Sequence, residues 1–189
     1  MDQTLNAGQE RVQIHLSVRA ASPSSRVAGR ASSEARPAAS REGWRDVLAD
    51  ATCEVFEIMV GTSLGRVTEE SPHVVADFTA MVGIAGSLCG VFGLRASSES
   101  ARRMAANMLG SDEVGVNENV QDAFGEICNM IAGNFKAKIA GMADGCALSV
   151  PTVISGRDYT LYSLANGERF EVMFSFEGHP LSVTLDLHS

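Results

Sequence analysis

The chain has no run of about 18 apolar residues, the length a membrane-spanning helix needs, so no segment is expected to cross a bilayer. Its opening stretch, MDQTLNAGQERVQIHLSVRAASP, carries charges and no apolar core of the kind a signal peptide requires. The four cysteines, Cys53, Cys89, Cys128 and Cys146, form no C-x-x-C pair. Without an export signal they read as reduced core thiols, and the expected compartment is the cytoplasm. His15, His73, His179 and His188 are isolated, with no H-E-x-x-H and no cysteine at ligand spacing, so no resident metal is expected. Basic charge is scarce: 15 Lys and Arg stand against 23 Asp and Glu, a net −8. Residues 1–43 hold six Arg and four acids, which leaves −10 on the remainder. Phosphate contacts need Lys and Arg, so nucleic acid is excluded as a partner, and proteins or small molecules remain.

What is present suits one domain with a tail. Of 189 residues, 45% are hydrophobic, enough for a sizeable core. Residues 19–43, rich in Ala, Ser and Arg, contain almost no large apolar side chain and cannot offset their chain entropy by burial. The reading is therefore a poorly ordered tail over 1–43, with a possible strand at 11–18 where Val12, Ile14, Leu16 and Val18 alternate, and a domain over 44–189. That domain is expected to open with a helix over 44–60, its face carrying Trp44, Val47, Leu48, Ala51, Val55, Ile58 and Met59. Strands are expected near 64–70, 74–83 and 87–95. A helix over 97–109 is capped by Ser97 or Ser98, and a long helix over 118–141 begins at Asn117 or Asn119. Strand-like segments follow at 146–154, 158–164, 168–176 and 180–187, the last two forming a hairpin. Blocks of strands and helices imply an α+β fold with a largely antiparallel sheet and helices packed on one face.

The long helix contains DAFGEICNMIAG at 122–133. Residues advance by about 100° around a helix. With Asp122 at the origin, Glu126 falls at roughly +40°, Asn129 at roughly −20°, Gly133 at roughly +20° and Lys136 at roughly −40° by that rule. Val120, Phe124, Ile127, Ile131, Phe135 and Met142 fall on the opposite side. The greasy stripe must bury against the sheet, and the Asp122–Glu126–Asn129 stripe must face outward. Gly133 on the outer stripe costs about 1 kcal/mol against Ala, and one use for it is the close approach of another backbone or a partner. E-x-x-N alone is unspecific, arising by chance about once in two chains of this length.

The first helix repeats the template. DATCEVFEIMVG at 50–61 matches 122–133 at Asp50/Asp122, Ala51/Ala123, Glu54/Glu126 and Gly61/Gly133. Two helices on one template suggest a pseudo-two-fold internal duplication. Glu57 stands where Asn129 stands. An ionised carboxylate only accepts hydrogen bonds, whereas an amide accepts and donates, so the second helix alone has a group that can hold a water and touch a phosphoryl oxygen together.

An Asp or Ser, three residues, Glu, two residues, Asn, then 21 or 22 residues and Pro is the motif of a known family. Here it is met by Asp122, Glu126, Asn129 and Pro151. Over roughly 44–189 the chain resembles the CheC/CheX/FliY phosphatases of bacterial chemotaxis, and within them the CheX branch, which has one such active helix. The resemblance implies a CheC-like fold and hydrolysis of the aspartyl phosphate on a CheY-like response-regulator receiver. Glu126 would salt-bridge the receiver's active-site lysine, and Asn129 would hold the attacking water. Asp122 and Pro151 would shape the helix and its surroundings, with Gly133, from its place on the outer stripe, as a supporting position that clears space. It also implies a homodimer and no cofactor of its own, with Mg²⁺ carried by the receiver. The alternative is a receiver-binding or assembly module of the same fold without turnover.

Other patterns carry less. GTSLG at 61–65 matches the nucleophile elbow, yet a helix precedes it and a strand is expected after it, so Ser63 reads as a loop residue. GIAGSLCGVFG at 83–93 has no Walker lysine and reads as two strands and their turn. Cys128 has no neighbouring base or cation in sequence to make it a thiolate. Lys136 and Lys138 read as charges at the C-terminal end of a helix.

Overall fold

The computed structural model describes residues 13–16, 41–67, 74, 76–110, 117–156, 159–163 and 166–188. Most of the expected tail, residues 17–40 included, lies outside them. Along the chain run β1 (Gln13–Leu16), α1 (Trp44–Val55), a π-helical turn (Phe56–Val60), β2 (Gly65–Arg66), β3 (Phe78–Gly86) and β4 (Gly90–Ala96). There follow α2 (Ser98–Leu109), α3 (Asn117–Lys138), β5 (Cys146–Leu148), β6 (Thr152–Ser155), β7 (Thr160–Ser163), β8 (Arg169–Phe176) and β9 (His179–Leu187). Among the described residues the main sheet has seven strands in the order β2-β8-β9-β4-β3-β5, with β6 also on β3. Its pairings are antiparallel. β1 and β7 form a separate parallel pair, which puts a strand inside the 11–18 segment.

Strand alternation decides which face carries the helices. Ala80, Val82 and Ile84 of β3, Phe92 and Leu94 of β4, Phe174 and Phe176 of β8, and Leu181, Val183 and Leu185 of β9 are all buried. They meet the buried stripe of α3, where Val120, Phe124, Ile127, Ile131 and Phe135 are each at most 2% exposed. Ring pairs lock the layers: Phe78 meets Phe124 edge-on at 5.8 Å, and Phe135 meets both Trp44 at 5.7 Å and Phe92 at 5.4 Å. This is the α+β fold expected, with helices over one face.

Three expectations change in detail. The first helix does not run as α-helix to residue 60. After Val55 it widens into the π turn, where the Gly61 N–H reaches back five residues to the Phe56 carbonyl. A π turn advances each residue by less than an α turn does, so the apolar phase slips. Val60 swings into the core at 3% exposed and Ile58, expected on the buried face, is left 78% exposed. The strand expected over 146–154 is two strands. β5 pairs with Ile84–Gly86 and β6 with Phe78–Met81, separated by a connection that ends at Pro151. Proline has no N–H for a ladder, which breaks the run there. The long helix stops at Lys138 rather than near 141, and Gly141 takes φ +82° in the exit turn.

Helix α2 starts as expected from Ser97, whose hydroxyl accepts from the Ser100 N–H at 3.1 Å. Arg41 bonds Glu168 at 2.5 Å and lies 5.7 Å over the Trp44 ring, tying the start of α1 to β8.

Candidate functional site

Helix α3 lies over β3, β4, β5 and β6, flanked by α1 and α2. Its apolar stripe is fully used by the core, so its outer stripe is what remains to meet solvent or a partner. Asp122 and Glu126 are exposed and Asn129 is half-buried. The three therefore share one outward ridge, as the wheel requires. The Asn129 amide donates from Nδ2 to Glu126 Oε2 at 3.4 Å, near the long limit of a hydrogen bond. That is a loose contact within one turn, and among the described residues it leaves the amide oxygen and a second N–H open. The pair can dock a cation with the carboxylate and orient a water with the amide.

One flank of the ridge is pinned to the sheet and the other opens on α2. On one side Gln121 donates to Ser155 Oγ at 2.8 Å and Lys136 donates to the Cys146 carbonyl at 2.7 Å. Between them Gly125 lies against β6 and the connection before it. A Cβ at Gly125 would sit 3.1 Å from Val153 Cγ2 and 3.3 Å from Pro151 Cβ. Pro151 thus packs directly behind the residue that precedes Glu126. Gly125 is the site-shaping residue that sequence reasoning missed. Its echo position is Cys53, and that difference from the first helix was the available signal. On the other side of the ridge, Asn119, Asp122, Ala123 and Glu126 form a shallow groove with Met108 and Leu109 of α2. Gly133, also on the ridge, has nothing among the described residues within 4 Å of where a Cβ would stand.

The first helix is occupied differently. Glu54, the counterpart of Glu126, takes Lys138 Nζ at 2.7 Å and Asn134 Nδ2 at 2.9 Å. Hydrogen bonds from Lys138, and then from Asn134, hold its carboxyl below the usual range. Lys136 and Lys138 stand in the last turn of α3, as expected, and also tie it to the neighbouring elements. Cys128, one residue before Asn129, faces the core. Burial pushes its thiol up to about 12, so it is no nucleophile at neutral pH. Ser63 sits in the connection between the π turn and β2, without the strand–turn–helix setting an elbow needs. A second cavity lies on the sheet face away from α3, lined by Thr79, Arg95, Leu161, Arg169 and Asp186 among others. Arg169 there is already neutralised by Asp186 at 3.2 Å, and the sheet stands between this cavity and the ridge.

Among the described residues no group of three His, Cys, Asp or Glu converges as a metal site would need, and no helix is long and apolar enough to cross a membrane.

Comparison with known proteins bears on the family and the fold. The family model described as chemotaxis phosphatase CheX matches residues 78–175. A CheY-P phosphatase CheX of Thermotoga maritima is 33% identical over 95 residues, a stretch that spans 50% of this chain and 59% of that protein. The crystal structure of the chemotaxis protein CheX from Vibrio vulnificus superposes with a TM-score of 0.67 at 23% identity, over 77% of this chain and 96% of that one. The CheX of a CheX–CheY–BeF3–Mg²⁺ complex from Borrelia burgdorferi superposes at 0.63 and 21% identity, over 77% and 98%.

Proposed function

The chain belongs to the CheX chemotaxis phosphatase family, and on that premise we propose that it accelerates hydrolysis of the aspartyl phosphate on a CheY-like receiver domain. The observation that carries the proposal is the exposed Glu126–Asn129 pair on α3, bonded to no other element among the described residues and open to a partner. Glu126 docks on the receiver's active-site lysine. Asn129 enters the receiver site, accepts a hydrogen bond from a water through its amide oxygen, donates through its N–H to a phosphoryl oxygen, and so aims the water at phosphorus. The water oxygen forms the new P–O bond as the bond to the aspartyl oxygen breaks. The carboxylate leaves with its electron pair, and the water protons stay with the inorganic phosphate. No base on this chain is required, because such a transfer is governed by positioning and by charge already placed on the phosphoryl oxygens. That charge, Mg²⁺ and lysine, belongs to the receiver.

Asp122 and Pro151 serve the geometry. Pro151 seats α3 through Gly125, and Asp122 adds negative charge beside Glu126. The first helix we read as the inactive half of a duplication, since Glu57 cannot donate and Glu54 is spoken for by Lys138. Action on a receiver would place the protein in the cytoplasm, and a homodimer is proposed on the resemblance, to be checked by light scattering. The direct test is dephosphorylation of a CheY-like receiver from the same genome by the wild type, Glu126→Ala and Asn129→Ala. Loss of turnover in both variants supports the proposal, and wild-type rates in both would refute it. Phosphorylation-dependent binding without faster decay would instead identify a receiver-binding module.

A further inference from the structure

Four large apolar side chains are exposed among the described residues: Ile58 at 78%, Leu109 at 53%, Val150 at 82% and Tyr162 at 45%. Two of them belong to segments that flank the polar ridge of α3. Going around the helix from Asp122, Asn119 and Ala123 lie on one side, at roughly +60° and roughly +100°, and Gly125 and Gln121 on the other, at roughly −60° and roughly −100°. The first pair faces the groove that Leu109 lines together with Asp122 and Glu126. The second pair faces β6, where Gly125 abuts Pro151 and Gln121 reaches Ser155. Val150 immediately precedes Pro151. Leu109 therefore lines the groove on one side of the ridge, and Val150 is the chain neighbour of the proline that abuts the other side.

Both side chains are held out by the backbone. Leu109 is the last residue of α2, and Gly110 closes that helix in the left-handed region at φ +63°, its N–H on the Ala106 carbonyl. Val150 is restricted to extended conformations by the proline after it. Ser149 fixes it further: its Oγ accepts from the Gly83 N–H at 2.9 Å and donates to the Val150 carbonyl at 2.8 Å, while its own N–H donates to the Gly83 carbonyl at 2.9 Å. Apolar side chains fixed in place before binding lose little freedom on association, and apolar contacts around a polar centre exclude water from it. The centre here is acidic, with Asp122 and Glu126 and no basic side chain among the described residues of the groove. The complementary surface is a cation flanked by apolar residues on both sides.

We propose that Leu109 and Val150 are the docking contacts that clamp the phosphorylated receiver across the Glu126–Asn129 pair. This rests on the phosphatase reading above and assigns it an affinity determinant separate from its chemistry. Contacts made equally in the bound and reacting states change half-saturation and leave kcat alone.

The test uses the full chain and a CheY-like receiver from the same genome, phosphorylated by a small phosphodonor for turnover and loaded with Mg²⁺ and beryllofluoride for binding. Leu109→Ser and Val150→Ser should each raise the half-saturating receiver concentration about tenfold, and the double variant more, at unchanged kcat. The same variants should weaken binding to the beryllofluoride-loaded receiver by a similar factor. Tyr162→Ser, on the β1–β7 pair, should match the wild type. Half-saturation and binding at wild-type values in both clamp variants would overturn the clamp, even where Asn129→Ala has lost turnover. A fall in kcat at unchanged half-saturation would overturn it too, because that is the mark of a disturbed site rather than a lost contact. If Glu126→Ala and Asn129→Ala both retain wild-type turnover, the phosphatase reading fails while the binding measurement still decides the clamp.

Discussion

Two glycines on one helix should respond to the same substitution with opposite signs. Gly125 and Gly133 both lie in α3, away from its ends, and Ala in place of Gly in a helix is worth about 1 kcal/mol. At Gly133 the new methyl meets nothing among the described residues within 4 Å, so Gly133→Ala should keep the whole gain. At Gly125 the methyl lands 3.1 Å from Val153 Cγ2, 3.3 Å from Pro151 Cβ and 3.4 Å from Pro151 Cγ. Those atoms must yield by a few tenths of an ångström, and Pro151 is a rigid ring next to a strand. Overpacking of this kind costs about 1–3 kcal/mol, which cancels or exceeds the propensity gain. The two variants should therefore differ by about 1–3 kcal/mol, with Gly133→Ala more stable than wild type and Gly125→Ala equal or less stable. Urea unfolding of all three proteins, analysed with a common slope, reads this directly, and each kcal/mol corresponds to about 2–4 °C in Tm. Equal stabilisation of both variants would refute the close seat of α3 on Pro151. Gly133→Ala also separates stability from function. If the gap there admits a partner, the stabilised variant should need more receiver for half-saturation.

Three further outcomes follow from named contacts. Asn129→Glu, which copies the residue at the echo position in the first helix, should lose turnover by about 10²-fold or more in a receiver dephosphorylation assay, because a carboxylate cannot donate; wild-type turnover would remove the amide from the mechanism. Lys138→Met should move the Glu54 carboxyl back up towards its ordinary value in a carboxyl NMR titration. Since Glu54 is lowered in the folded protein, its tie is at full strength above the ordinary carboxylate pKa and fades as pH falls through the lowered value, so an unchanged titration would refute it. Cys128, with its thiol pushed up to about 12 by burial, should resist a thiol reagent in the native protein at about pH 8 and react on unfolding; prompt native labelling at this position would contradict its placement.

How far the sequence reached is clearest on α3. Periodicity alone separated its two faces, and Val120, Phe124, Ile127, Ile131 and Phe135 are buried while Asp122 and Glu126 are not. The same rule failed at Ile58, because it assumes a constant advance per residue and the π turn after Val55 breaks that assumption. The cap at Ser97 and the turn between the last two strands were legible because both are settled by neighbours in sequence. The split of 146–154 was not: β5 and β6 occupy separate stretches of β3, and which stretch each takes depends on a strand far back along the chain, beyond both α2 and α3.

The sequence by itself determined the helix faces, the acidic character of the domain, the spacing from Asp122 to Pro151 and the family that spacing resembles. All of these follow from local chemistry and from position along one chain. The tertiary structure decided what those residues do to one another. It placed Pro151 behind Gly125, tied Lys136 and Lys138 to neighbouring elements, and set Leu109 in the groove beside the ridge. Such contacts join residues distant in sequence, and their existence depends on the order of strands in the sheet, which no local pattern encodes.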